Sequence, residues 1–169
     1  NEVILNENLF TQLVLPILRW PNADEKVVNT FLLKLHFFFT DSNRYSAHNI
    51  QVLENENTVS LILESLSLHE ENFEHFKNPF TECMTSILSN PFAEKSFNIL
   101  FFFTYHKLKF QEHSALAFSV LSILDNVFCR ALDTLNKPLL QMIKKCWSLK
   151  YLLMLFNASF QSKCFLEAP

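Results

Sequence analysis

Phe97–Phe110 reads Phe-Asn-Ile-Leu-Phe-Phe-Phe-Thr-Tyr-His-Lys-Leu-Lys-Phe and carries almost no polar face over its first eight residues. A helix that is apolar all round is buried all round. This stretch therefore predicts a central helix, 91–108, with other helices wrapped about it. Phe31–Thr40, Phe-Leu-Leu-Lys-Leu-His-Phe-Phe-Phe-Thr, echoes it. Two such helices imply a dense aromatic core, and they imply no reaction.

Outward from the central helix, the chain reads as helices throughout. Asn78-Pro79-Phe80 and Asn90-Pro91-Phe92 each place a capping Asn before a Pro at the first helical position, which writes an antiparallel helical hairpin of 79–89 and 91–108. Downstream, apolar periodicity predicts one long helix over 111–135, a helix opened by Asn136-Lys137-Pro138 over 138–147, and a last helix over 148–160. Upstream, 58–68 is a helix with Val59, Ile62, Leu63 and Leu66 on one face, and 69–77 is a charged helical turn. Residues 45–56 alternate polar positions and read as a short helix plus a loop. Asn22, with Glu25 three residues on, forms an approximate capping box for a helix over 23–40, and 7–19 is a short amphipathic helix that Pro16 kinks or ends. The expected architecture is one all-α domain over 1–169, a globular bundle of seven to nine helices without strands. Repeat arrays of the armadillo or HEAT kind have periods of about 40 residues. The Phe-Phe-Phe-Thr echo does not recur at that spacing, so a bundle or an irregular array of hairpins is preferred.

Composition limits function. Hydrophobic residues make up 49% of the chain, with 19 phenylalanines, which is too apolar for disorder. Lys34, Glu64, Lys95 and Asp125 interrupt the apolar runs before they reach spanning length. The net charge is −3, and Lys107, Lys109, Lys144, Lys145 and Lys150 are too scattered for a nucleic-acid stripe. There is no glycine, which excludes glycine-rich phosphate loops and leaves Asn to serve at turns. Cys83, Cys129, Cys146 and Cys164 form no Cys-x-x-Cys pair and read as reduced, buried thiols of an intracellular protein.

The residue types that carry chemistry are present but not arranged for it. His36 and His106 each flank a Phe triplet and read as amphipathic side chains at helix edges. Glu70, Glu71 and Glu74 read as a solvated charged turn. No Gly-x-Ser-x-Gly elbow occurs. No cofactor is expected. His48, in a polar segment, is the single candidate metal ligand, for a zinc ion whose other ligands come from a partner chain. The remaining signal is apolar surplus. Leu9, Phe10 and Leu13 on the first helix, together with Trp20, Trp147, Tyr151 and Phe160, are candidate partner-binding residues, either on a second subunit or in a groove that receives a peptide or helix.

Leu33–Ile50, Leu-Lys-Leu-His-Phe-Phe-Phe-Thr-Asp-Ser-Asn-Arg-Tyr-Ser-Ala-His-Asn-Ile, resembles the end of the first long helix of telomere-repeat-factor homology (TRFH) domains, where an aromatic helix runs into an Arg-Tyr segment. The chain as a whole is similar to the helical bridging subunits of shelterin, the telomere complex, in being rich in Phe and Asn and without enzyme motifs. The resemblance implies a nuclear homodimer that bridges a complex by docking segments of partner proteins, without binding DNA or membrane itself. The expectation is thus a non-catalytic adaptor. Its alternatives are an armadillo/HEAT-like scaffold and a helical bundle that holds a small apolar ligand between its Phe residues.

Overall fold

The structure is a computed structural model that describes residues 3–6, 8, 12, 15–18, 20, 24–40, 42–68, 70–110 and 114–161. Among these the regular elements are all helices, without strands, in the order α1 (Leu15–Leu18), α2 (Glu25–Phe39), α3 (Ser46–Asn55), α4 (Thr58–Leu68), a 3₁₀ turn (Glu70–His75), α5 (Lys77–Leu88), α6 (Glu94–Phe110), α7 (Ala115–Asp133), α8 (Lys137–Cys146) and α9 (Leu149–Gln161). The expected all-α bundle is the observed fold.

Helix α5 lies between α2 and α7, and α6 packs on α4, α7, α8 and α9. The buried stripe of α5 is Phe80, Cys83, Met84, Ile87 and Leu88, and α2 meets it with Val28, Leu32, Leu35 and Phe39. These residues recur three or four apart, so one face of each helix is apolar. At about 1.5–3 kcal/mol for each large apolar side chain removed from water, this interface carries much of the stabilisation of the fold. The 19-residue α7 has a mean hydropathy of 1.6 and, among the described residues, is the one helix long and apolar enough to cross a membrane. Asp125 interrupts its uncharged run, as expected, and lies with Arg130 and Asp133 on the exposed face. Its apolar stripe, Leu116, Val120, Ile123, Leu124 and Val127, is buried in the core.

Helix α4 starts at Thr58 as expected, while the starts of α2, α3 and α5–α8 differ from the sequence expectation by one to four residues. The cap of α2 is Asp24, whose Oδ1 accepts from Lys26 N at 2.8 Å, while Asn22 lies outside the described residues. Helix α5 begins at Lys77, so Pro79 falls inside its first turn, where a helix needs no N–H donor. Asn90 closes a turn by accepting from Phe92 N, and α6 starts only at Glu94. Ser114 caps α7 through Ala117 N at 3.1 Å, and Asn136 caps α8 through Leu139 N at 3.2 Å, as its position before Pro138 predicts. Residues 46–55 form a full helix, α3, instead of a helix and loop.

Two turns run through the left-handed region without glycine. Asn57 has φ 53°, a conformation that Asn tolerates, but Leu135 has φ 49°. Leu135 N donates to Leu132 O at 3.1 Å and Asn136 N to Ala131 O at 3.0 Å, so α7 ends in a Schellman motif with leucine at the glycine position.

Asparagines also tie down the N-terminal segment. Asn43 and Asn49 are fully buried. Asn49 Nδ2 donates to Val3 O and Phe38 O, both at 2.9 Å, and its Oδ1 accepts from Leu5 N at 2.7 Å. Asn43 Nδ2 donates to the same two carbonyls at 2.7 and 3.0 Å, and its Oδ1 accepts from Val3 N and Tyr45 N. Backbone outside the helices thus finds its partners in amide side chains, as buried backbone groups require.

Candidate functional site: an open apolar groove between α4 and α6

The Phe triplet of α6 is not buried on all sides. Phe101 faces inward, Phe103 is half-buried and Phe102 is 41% exposed, while Phe110 at the end of the helix is 70% exposed. Three consecutive helical residues point about 100° apart, so a single packing stripe cannot take all of them. Among the described residues no element closes over the side where Ile99, Phe102 and Phe103 meet α4, although Tyr151 of α9 packs against Phe102. That side faces α4 across an open groove of about 440 Å³. Leu63 contributes to the floor from α4, with Ile99, Phe102 and Phe103 from α6. The groove continues past Leu61 to Asn57 and Glu56, sharing Ser60, Glu64, Lys95 and Ile99 with the first part. On α6 it runs from Lys95 to His106, about 16 Å at 1.5 Å per residue.

The start of α6 is set from a distance. Glu54, on α3, accepts from Lys95 N at 2.6 Å and from Ser96 N at 2.9 Å, and its Oε1 also accepts from the Ser96 hydroxyl. A carboxylate at a helix N-terminus meets both the open N–H groups and the positive end of the helix dipole. The Lys95 ammonium donates to Glu54 O at 3.0 Å. On the opposite rim, Glu64 accepts from Ser60 at 3.1 Å. At the far end His106 stacks on Phe110, with ring centroids 6.0 Å apart.

The other expected site residues stand in different places. His48 is exposed on α3, and among the described residues no three His, Cys, Asp or Glu side chains gather as a metal site. Trp20 is 59% exposed. Trp147 and Tyr151 are half-buried and engaged within the chain. Trp147 packs its ring against Phe97 and Phe128 at 5.7 and 6.1 Å, and Tyr151 against Phe101 and Phe102 at 5.1 and 5.7 Å. Phe160 belongs to the last turn of α9. Leu9, Phe10 and Leu13 lie outside the described residues. Of these, the described side chains Trp20, Trp147 and Tyr151 do not line the α4–α6 groove. The sequence signal for it was the apolar excess of α6 itself, read there as core.

The acidic turn is less solvated than its composition implies. Glu70 accepts from Lys107 Nζ at 2.7 Å and from the Ser114 hydroxyl, joining the 3₁₀ turn to the end of α6 and the start of α7, whereas Glu74 pairs with Lys77 at the surface. His36 Nδ1 meets Ser86 Oγ at 2.8 Å and Glu82 O at 3.3 Å, a bridge between α2 and α5 that spacing alone could not show. Burial pushes the Cys83 thiol far up. Cys146 is pushed up to about 11, first by burial and then by the Glu94 carboxylate. Cys129 is exposed, against the expectation of buried thiols, and Cys164 lies outside the described residues.

No family model matches this chain, and neither a curated protein nor a solved structure matches it.

Proposed function

We propose that this chain is a non-catalytic adaptor that holds a segment of a partner protein in the groove between α4 and α6. The observation that carries the reading is the uncovered apolar floor. Most of the core is closed to solvent, yet Ile99, Phe102 and Phe103 are left along a channel three helical turns long. Exposed apolar surface rimmed by polar residues marks partner sites, and aromatic anchors dominate interface energies. The nearby polar groups are committed to structure, Glu54 to the cap of α6 and Glu70 to Lys107 and Ser114.

Together with the resemblance of 33–50 to telomere-repeat-factor homology domains, this supports a bridging role in a telomere complex, in the nucleus and as a homodimer. In that complex His48 contributes a ligand to a zinc ion that a partner chain completes. A small apolar ligand is the weaker reading, because such ligands bury most of their surface in enclosed pockets and this groove is open along one side.

The test is the solution mass by light scattering, alone and with segments of telomere proteins. A dimer that gains the mass of a segment supports the proposal. A monomer that gains mass with none refutes it.

A further inference from the structure

We infer that the occupant of the α4–α6 groove is an amphipathic α-helix of about three turns with basic residues along one flank. This rests on the adaptor reading and names the chemistry of its partner.

The groove walls are two helices, whose backbone N–H and C=O groups are already bonded within each helix. An extended segment would find no backbone partners there and would bury its own polar groups unpaired. A helix satisfies its backbone internally and brings only side chains, which suits helix-in-groove recognition. The floor, Leu61, Leu63, Ile99, Phe102 and Phe103, extends over about 16 Å. That length matches apolar residues at i, i+4, i+7 and i+11 of an incoming helix.

Charge fixes the flank. Glu56, in the turn before α4, and Glu64, nearly two turns into it, line the same rim. Among the described residues neither is ion-paired, and Glu64 accepts only from Ser60. Across the groove, Lys95 is the one Lys or Arg among the described lining residues, so the two carboxylates outnumber the single ammonium, which also donates to Glu54 O at 3.0 Å. The rim is therefore acidic above an apolar floor. Lys or Arg side chains about two turns apart on the incoming helix complement it.

The experiment pans a phage-displayed library of 16-residue peptides on the full chain. Fluorescein-labelled binders are then measured by anisotropy against wild type, Glu64→Lys and Phe102→Ala, each checked for its helical circular dichroism. Binders with helical apolar spacing and a Lys/Arg flank are expected. Their affinity is expected to drop about five- to tenfold with Glu64→Lys and at least about tenfold with Phe102→Ala, and to weaken with added salt. Binders sensitive to Phe102→Ala but acidic, or proline-rich and extended, overturn the helical, basic occupant. Binders indifferent to both substitutions dock elsewhere, which overturns the groove while the adaptor reading stands. A library that yields no binder overturns both.

Discussion

Replacing Asn49 by Ala removes one buried side chain that holds three backbone groups. Its Nδ2 donates to Val3 O and Phe38 O, and its Oδ1 accepts from Leu5 N at 2.7 Å. The two carbonyls keep Asn43 as a partner, so they lose bonds without being orphaned. Each lost bond costs about 1 kcal/mol, while the Leu5 N–H is left buried and unpaired at about 1–3 kcal/mol. The expected total is about 3–5 kcal/mol. With a urea slope of about 2 kcal/mol/M for a domain of this size, the midpoint falls by roughly 2 M. Asn49→Asp keeps the shape but sets a carboxylate oxygen against two carbonyls at 2.9 Å, so it is expected to cost more and to recover partly as the pH is lowered. If the N-terminal segment detaches before the core unfolds, amide exchange at Leu5 accelerates while the core amide of Ile62 stays protected. An Asn49→Ala loss below about 0.5 kcal/mol, with Leu5 still protected, would refute the clamp.

Glu54→Ala removes the remote cap of α6 and is expected to cost about 2 kcal/mol, read by thermal melting, with faster amide exchange at Lys95 and Ser96. Leu135→Gly relieves a left-handed leucine that is 75% exposed and is expected to stabilise the chain by about 1 kcal/mol in urea titration, whereas a loss would argue against the Schellman turn. The Cys146 thiol is raised from 9.0 to about 11, so the folded chain holds a proton that the unfolded chain releases between these values. Its contribution is complete below pH 9 and is lost as the pH rises to 11, about 2–3 kcal/mol in all, and the wild-type pH–stability slope in that window is expected to exceed that of Cys146→Ala. Iodoacetamide at pH 8 is expected to label Cys129 well before Cys83 or Cys146 in a Cys164→Ser background, as mass spectrometry of quenched samples would show.

The sequence by itself determined the class of the fold and the stripe of each long helix. Val59, Ile62, Leu63 and Leu66 declare the buried face of α4, and Asn136 before Pro138 declares the start of α8, because periodicity and caps are local properties. Absence of glycine correctly pointed to Asn at turns, as Asn57 shows, though not to Leu135. What only the tertiary structure decided is where an apolar helix stops being core. Phe101 and Phe102 are chemically the same and adjacent, yet one is buried and the other lines a groove, because burial depends on whether another helix arrives on that side. The cap of α6 by Glu54, the ties of Glu70 to Lys107 and Ser114, and the bonds of Asn43 and Asn49 to Val3 likewise join residues 37 to 46 positions apart. Those pairings are set by how the helices pack, and no spacing along the chain encodes them.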